Sequence, residues 1–246
     1  MSATDKTIVL VTGANQGIGF QTVKKLAKEQ PSYYVLLGSR SSKNGDEAVA
    51  KLKAEGFSNI EAITIDVTSD ESIASAAAIV EKKFGRLDVL INNAGIAIDY
   101  KYDPSSKTGP SISQVMKENY DVNVFGTTQV FETFVPLLEK SSHPRVVFLS
   151  SSLGSFGAMI FDTAYPIYRS TKSALNMVVR VFAARYKEKG WKINLCCPGL
   201  VQTNLNGYTE RGEPVENGAI NVVRLATAGK DGETGTYSNR HGPLPW

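Results

Sequence analysis

The sequence has few of the residues that build metal sites and disulfide frameworks. Only two cysteines and two histidines occur among its 246 residues. Cys196 and Cys197 are adjacent in an apolar stretch, and neighbouring strand residues point to opposite faces of a sheet, so we expect two packed thiols rather than a disulfide. With only His143 and His241 available, a histidine-based metal site is not expected, and we predict no metal.

The sequence also lacks a large excess of charge and any long apolar run. A net charge of +3 spread along the chain argues against nucleic acid and against a membrane surface as partners. No run approaches the length of a membrane span, and the first residues carry no apolar targeting segment, so we expect a cytoplasmic protein. With 42% hydrophobic residues the chain can bury a full core, and we expect one domain over residues 1–246.

What the chain does contain is a regular alternation of strand-like and helical segments. The predicted strands are Thr7–Val11, Tyr33–Gly38, Ile60–Ile65, Val89–Ile91, Val146–Leu149 and Lys192–Cys197. The predicted helices run from Phe20, from a capping box at Thr68–Glu71, from Ile112 to Leu138, from Tyr168 to about Lys187 and from Pro214. This alternation predicts an α/β fold of Rossmann type, a doubly wound parallel sheet with helices on both faces.

The first predicted strand runs into a glycine-rich turn. Gly13, Gly17 and Gly19 follow the spacing G-x-x-x-G-x-G and precede a helical pattern. Free backbone N–H groups and the positive end of the helix dipole would meet at this turn, and glycine lets a pyrophosphate approach the backbone. The turn therefore indicates a dinucleotide site, although a glycine turn can also simply join a strand to a helix.

The residues after the other strands bear on the same cofactor, because ligands of such sheets bind beyond the carboxyl ends of the strands. Arg40 stands where an acidic residue usually holds the ribose hydroxyls of NAD, and a guanidinium suits the 2′-phosphate of NADP(H). Arg40 could instead be a solvated loop residue. Asp66 and Val67 are placed to meet the adenine, unless Asp66 caps the next helix. Residues 92–95 could line the cofactor and tie two strand ends together, or form only a turn.

One predicted helix places a phenol and an ammonium on the same face. Tyr168 and Lys172 are four residues apart, a spacing that brings side chains together on a helix. A nearby positive charge favours phenolate, so we expect Lys172 to lower the pKa of Tyr168 towards the range useful for proton transfer. The same spacing also occurs by chance on many helices.

Taken together, these motifs resemble the short-chain dehydrogenase/reductase family over nearly the whole chain. The residues that carry the resemblance are Thr12, Gly13, Gly17, Gly19, Asn92–Gly95, Asn123, Ser151, Tyr168, Lys172, Pro198, Gly199 and Thr203. Within the family the chain is most similar to the NADPH-dependent carbonyl reductases, through the sequence of the glycine turn, Arg40 and residues 243–246.

The resemblance implies an enzyme that transfers hydride from NADPH to a ketone or aldehyde. It assigns Tyr168 as the general acid, Lys172 as the group that lowers its pKa and holds the nicotinamide ribose, and Ser151 as the donor to the carbonyl oxygen. Ser151 is chosen over its serine neighbours because the family pattern places a glycine three residues later, at Gly154. Asn123 would hold a water that connects Lys172 to solvent.

The resemblance also implies a cofactor site built from several loops. Pro198, Gly199 and Leu200 would pack against the nicotinamide, with Thr203 near its carboxamide. The full expected set is Gly13, Asn15, Gln16, Gly17, Ile18, Gly19, Ser39, Arg40, Asp66, Val67, Asn93, Ala94, Gly95, Tyr168, Lys172, Pro198, Gly199, Leu200, Val201 and Thr203.

The chain departs from the family pattern in two places. Gln16 stands where many NADPH-dependent members carry a basic residue, so Arg40 alone would provide the phosphate preference. The segment Phe156–Tyr165 makes the sequence separation between Ser151 and Tyr168 longer than is common. It could wall a substrate pocket, pack in the core or pack against another subunit. Three other functions stay open: an NAD-dependent alcohol dehydrogenase, reduction of a conjugated double bond, and a catalytically silent cofactor sensor.

The helices beginning at Ile112 and Tyr168 carry more apolar residues than one buried face requires. Those in question are Val130, Phe131, Phe134, Val178, Val179 and Phe182. Similar family members pair these two helices between subunits. The sequence therefore predicts a homodimer or a homotetramer.

Overall fold

The computed structural model describes residues 6–158 and 164–246, and in them the strands form one eight-stranded sheet. The strands are β1 (Thr7–Val11), β2 (Tyr33–Ser39), β3 (Ile60–Thr64), β4 (Val89–Asn92), β5 (Arg145–Leu149), β6 (Lys192–Cys196), β7 (Tyr237–Asn239) and β8 (Gly242–Pro243). Their order is β3-β2-β1-β4-β5-β6-β7-β8, and every pair is parallel except β7–β8. The winding direction reverses between β1 and β4, so a crevice opens at their carboxyl ends.

Helices cover both faces of this sheet. They are α1 (Gly17–Glu29), α2 (Ser42–Ala54), α3 (Asp70–Phe84), α4 (Ile112–Tyr120), α5 (Thr127–Leu138), α6 (Pro166–Tyr186) and α7 (Asn217–Ala226). Buried residues form one apolar layer that includes α3, α5 and α6 and a second that includes α1, α2 and α7. The doubly wound Rossmann-type fold predicted from the alternation is confirmed. Among the described residues, no helix is long and apolar enough to cross a bilayer.

The adjacent cysteines pack on opposite faces of the sheet, as predicted. Cys196 is the last residue of β6 and Cys197 follows it directly. Both are free and buried; Cys196 packs in the layer of α1 and α7, and Cys197 packs in the layer of α5 and α6. The amide of Asn221 donates to Sγ of Cys196 at 3.3 Å, and the backbone N–H of Ser152 donates to Sγ of Cys197 at 3.3 Å. Burial raises the pKa of the Cys196 thiol to about 12, so it behaves as a packing residue.

The long helix predicted from Ile112 to Leu138 is divided by a π-helical segment, Asp121–Gly126. The hydroxyl of Thr127 donates to the carbonyl of Val122, five residues earlier, at 3.1 Å. Gly126 lies so close to another chain segment that a Cβ there would be 2.2 Å from the carbonyl oxygen of Val67. This widened turn carries Asn123, and such segments are frequent at functional sites.

The other four predicted helix starts also differ from the structure: α1 begins at Gly17 rather than Phe20, α6 begins at Pro166 rather than Tyr168, and the starts of α3 and α7 differ as follows. Ser69, not Thr68, is the N-cap of α3, because its side chain accepts from the N–H of Ser72 while the Thr68 hydroxyl donates to Asp66 at 2.7 Å. Helix α7 begins at Asn217, three residues after Pro214. The six predicted strands are confirmed to within one residue at each end, whereas β7 and β8 were not predicted because neither is an apolar run.

The apolar residues that suggested subunit contacts are used inside this chain. Of the six, five are buried and Val178 is half-buried. Phe131 stacks on Phe182 with ring centroids 4.5 Å apart. Their burial therefore needs no second subunit, and this part of the reasoning for an oligomer is wrong.

Candidate active site

The carboxyl ends of β1 and β4 are tied together by side-chain hydrogen bonds. The Asn93 amide donates to the carbonyl oxygens of Thr12 at 2.8 Å and Gly13 at 3.0 Å. In return, the Thr12 hydroxyl accepts from the backbone N–H groups of Asn93 and Ala94, each at 3.1 Å. The glycine turn and residues 92–95 therefore form one unit at the crevice, as the sequence suggested.

The glycine turn leaves no room for a side chain at Gly13 or Gly19. Gly13 has φ +60°, and a Cβ on it would lie 2.9 Å from Cα of Ala94. A Cβ on Gly19 would lie 2.5 Å from the Asn93 amide nitrogen. Helix α1 begins at Gly17 with no side-chain cap and no acidic residue in its first turn. Its N–H groups and dipole are therefore free to bind an anion, and the turn fits the pyrophosphate of a dinucleotide.

Strands β2 and β3 end in residues with different roles. Ser39 is buried, and its hydroxyl donates to the carbonyl oxygen of Ser41 at 2.9 Å. Arg40 is exposed, and within the described part of the chain no ion pair or hydrogen bond occupies its guanidinium. Asp66 accepts from the backbone N–H of Thr68 at 2.9 Å and from its hydroxyl, so it orders the loop before α3 rather than capping that helix. Val67, beside it, is buried.

Ser151, Tyr168 and Lys172 come together where β5 ends against α6. Ser151 lies close enough to the Tyr168 side chain to lower the pKa of its phenol, and the Lys172 Nζ lies 5.6 Å from the centre of the Tyr168 ring. A Cβ on Gly154 would lie 2.6 Å from Cβ of Lys172, so the segment after Ser151 packs directly on α6. Ser150 is not available for this role, because its hydroxyl donates to Asn176 at 2.5 Å.

Burial controls the ionisation of both groups. It raises the pKa of Tyr168 well above its ordinary value; the charges of Cys197 and Asp99 act in the same direction, and the Ser151 hydrogen bond opposes them. Burial lowers the pKa of Lys172 to about 8. The expectation that Lys172 lowers the Tyr168 pKa is wrong for this structure, because burial is the largest influence on that pKa and Lys172 is not among its causes. The Lys172 ammonium donates instead to the carbonyl of Leu149 at 2.9 Å. Tyr168 is therefore a protonated phenol at neutral pH.

Asn123 connects α6 to the loop after β4. Its Oδ1 accepts from the N–H of Ile96 at 2.9 Å, and its Nδ2 donates to the Ile96 carbonyl at 2.8 Å and to Oγ1 of Thr171 at 3.0 Å. A Cβ on Gly95 would lie 3.3 Å from Oδ1 of Asn123 and 3.6 Å from Nζ of Lys172. Asn123, Gly95 and Lys172 therefore surround one small space.

The loop after β6 packs against the start of α1. Gly199 has φ +82°, and Thr203 is buried with its methyl 3.8 Å from where a Cβ on Gly17 would lie. Val201 and Ile18 approach Gly218 of α7 from two sides, at 3.1 and 3.0 Å from a Cβ placed there. The structure thus brings the predicted cofactor residues of three loops to one end of the sheet.

The structure does not support a pocket wall at Phe156, and it adds one residue, Asp99, to the predicted site. Met159, Ile160 and Phe161, proposed to wall a pocket or pack in the core, lie outside the described residues, and Phe156 is 77% exposed. Asp99, which contacts the backbone of Tyr168, was not predicted. No local pattern marks it, because its partner lies 69 residues further along the chain.

Comparison with known proteins gives consistent matches. A family model described as short chain dehydrogenase matches residues 7–214. A short-chain dehydrogenase/reductase of Stachybotrys chlorohalonatus is 38% identical over 98% of this chain and 94% of its own length, and salutaridine reductase of Papaver somniferum is 30% identical over 96% and 95%. The structure of NADPH-bound carbonyl reductase from chicken fatty liver has a TM-score of 0.81 and 26% identity, covering 98% of this chain and 99% of that one.

Proposed function

The chain belongs to the short-chain dehydrogenase family of oxidoreductases, and from that premise we propose that it reduces the carbonyl group of a ketone or aldehyde with NADPH. The observation that carries this proposal is the convergence of Ser151, at the end of β5, with the buried side chains of Tyr168 and Lys172 on α6, where the Lys172 Nζ lies 5.6 Å from the centre of the Tyr168 ring. A hydroxyl pair of this kind can donate two hydrogen bonds to one carbonyl oxygen. A conjugated double bond or a silent binding site would not require that pair.

The residues of this chain then have distinct tasks. When bound, NADPH would supply hydride to the carbonyl carbon. Tyr168 would transfer its phenolic proton to the carbonyl oxygen, and Ser151 would donate to the same oxygen as negative charge develops on it. Lys172 would stabilise the phenolate left behind and hold the nicotinamide ribose. Asn123 lies beside Lys172, where a water held by its amide would return the proton from solvent.

The proposed cofactor site follows the loops at the carboxyl edge of the sheet. The uncapped start of α1 and the turn at Gly13–Gly19 would hold the pyrophosphate, Arg40 the 2′-phosphate, and Asp66 and Val67 the adenine. The nicotinamide would lie against Pro198–Thr203. Ser39 would contact the cofactor through its backbone rather than its hydroxyl, because the hydroxyl already donates to the carbonyl of Ser41.

A panel of aldehydes and ketones, followed by the loss of NADPH absorbance, tests this function. We expect turnover of moderate-sized aromatic or aliphatic carbonyl compounds. Oxidation of alcohols with NAD as the preferred reaction would favour the alcohol dehydrogenase instead. Tight NADPH binding without turnover of any carbonyl compound would favour a cofactor sensor.

Arg40 should determine a preference for NADPH over NADH. A charge-assisted hydrogen bond contributes about 1.5–3 kcal/mol. Arg40→Gln should therefore reduce the ratio of kcat/KM with NADPH to kcat/KM with NADH by roughly 10- to 100-fold. The change should come from NADPH, because NADH carries no 2′-phosphate, and it should shrink at high salt. Lys51→Gln, which removes an exposed cation from the last turn of α2, is the matched control. A wild-type preference for NADH would refute the role of Arg40.

The homodimer or homotetramer remains a prediction with a narrower basis. Met177 and Val181, four residues apart on α6, are 66% and 51% exposed, whereas the apolar residues first considered are inside the protein. If α6 pairs between subunits, Met177→Lys with Val181→Lys should give a monomer in sedimentation velocity and leave the secondary structure unchanged. A monomeric wild type at every concentration measured would exclude the assembly.

A further inference from the structure

The N-cap residue of α6, the helix that carries Tyr168, provides no side-chain cap. The residue before it, Tyr165, has φ 59° and makes no capping hydrogen bond with its side chain. The first helical residue, Pro166, has no N–H to satisfy. The first amides that need acceptors are therefore those of Ile167 and of Tyr168 itself.

Asp99 provides both acceptors from a distant part of the chain. Its Oδ1 accepts from the N–H of Ile167 at 2.8 Å and from that of Tyr168 at 3.2 Å, and its Oδ2 lies 3.1 Å from the N–H of Tyr168. The residue is half-buried in a short 3-10 turn, Asp99–Lys101, in the loop that follows β4. A carboxylate at this end of a helix is also favoured by the helix dipole.

The same loop is attached to α6 at a second point. Asn123 binds the backbone of Ile96, three residues before Asp99, and also donates to Thr171 of α6. The loop begins at Gly95, which lies beside Lys172. Residues 95–99 therefore connect the cofactor side of the crevice to α6 in two ways. Asp99 binds the backbone of Tyr168 directly, and Ile96 is linked to Thr171 through Asn123.

We propose that Asp99 is a positioning residue for the reaction: its carboxylate fixes the backbone of Tyr168 relative to the loop that would line the cofactor. This inference rests on the proposed role of Tyr168 as proton donor. Proton transfer requires the phenolic oxygen at a defined place over the substrate, and small displacements of a reacting group lower the rate strongly. Because the cap comes from the loop after β4, it fixes the position of the phenolic oxygen relative to the cofactor side of the site.

Asp99 affects Tyr168 through its charge as well as through its hydrogen bonds, because the negative carboxylate raises the pKa of the phenol. After burial and the charge of Cys197, Asp99 contributes to raising the pKa of Tyr168, while the Ser151 hydrogen bond lowers it. Lys172, on the same helix, is the cation over the ring. Asp99 thus helps to keep Tyr168 protonated, the form that a proton donor needs.

Three variants separate position from charge. Asp99→Ala removes the acceptors and the charge, Asp99→Asn keeps one acceptor oxygen, and Asp103→Ala removes an exposed carboxylate of the same loop whose hydrogen bonds go to Ser105. We expect Asp99→Ala to lower kcat by about ten- to a hundredfold with little change in the KM for NADPH. Asp99→Asn should restore most of that loss, because its amide oxygen keeps one acceptor for the N–H groups of Ile167 and Tyr168. Asp103→Ala should match the wild type.

Hydrogen exchange of the Ile167 and Tyr168 amides tests the contact without substrate. Exchange should be faster in Asp99→Ala than in the wild type and in Asp103→Ala. Faster exchange with an unchanged kcat would make Asp99 a structural cap only and overturn the proposal. If Asp99→Ala does not fold, the same comparison is made with Asp99→Asn, and faster exchange of the two amides with an unchanged kcat overturns the proposal equally. A wild type that reduces no carbonyl compound would instead refute the proposed function, whatever the amide exchange shows.

Discussion

Tyr168→Phe is expected to lower kcat for carbonyl reduction by about 10²- to 10⁴-fold, the range usual for loss of a general acid, while NADPH binding stays close to that of the wild type. The ring is only 9% exposed and is packed at the start of α6, and phenylalanine keeps that packing. What is lost is the phenolic hydroxyl next to Ser151, the proposed proton donor. Steady-state kcat and a fluorescence titration with NADPH measure the two quantities separately.

The matched control for this substitution is Tyr165→Phe. Tyr165 lies three residues earlier, immediately before α6, and its side chain is half exposed. The control removes the same hydroxyl from the same region without touching the Ser151 contact, so its kcat should stay near that of the wild type. If Tyr165→Phe abolished turnover and Tyr168→Phe did not, the proton donor would have been assigned to the wrong tyrosine.

The parts of the site that could be predicted are those encoded by local spacing. The spacing of three glycines after an apolar strand predicts a tight turn, and in the structure Gly13 and Gly19 leave no space for a Cβ. The Asn93 amide, from the end of the neighbouring strand, donates to the backbone of this turn. Tyr168 and Lys172 share a helix face because of their spacing alone. The sheet follows from alternating patterns, which also place the carboxyl ends of the predicted strands, and the loops that follow them, at one edge.

The parts that could not be predicted depend on contacts between distant segments. Asp99 is an ordinary loop carboxylate in the sequence, and only the fold brings it to the amide of Tyr168. The direction of the Tyr168 pKa shift was mistaken because helical spacing gives the distance to Lys172 but not the burial that dominates it. The phenylalanines of α5 and α6 show the same limit, since apolar periodicity does not distinguish burial within a chain from burial between chains.

Lys172 has the second large expected effect, and burial is the reason. The side chain is 4% exposed, and its ammonium donates to the carbonyl of Leu149; within the described residues no carboxylate pairs with it. Lys172→Met keeps the length of the side chain and removes the charge. We expect kcat to fall by about 10²-fold or more and NADPH affinity to fall as well, because the same lysine would stabilise the phenolate and hold the ribose. Steady-state kinetics and NADPH titration distinguish this double loss from the single loss in Tyr168→Phe.

The same variant should change how stability depends on pH. Burial lowers the Lys172 pKa from its usual 10.5 to about 8, so between these values the folded protein has released a proton that the unfolded chain still binds. The free energy of unfolding therefore rises with pH across this window, by about 3 kcal/mol at most. Subtracting the urea-unfolding free energies of Lys172→Met from those of the wild type at each pH isolates this rise, because the other groups titrate in both proteins. Lys82→Met, which removes an exposed lysine of α3, should show no such difference. A flat difference between wild type and Lys172→Met would mean that Lys172 keeps its ordinary pKa in the folded protein.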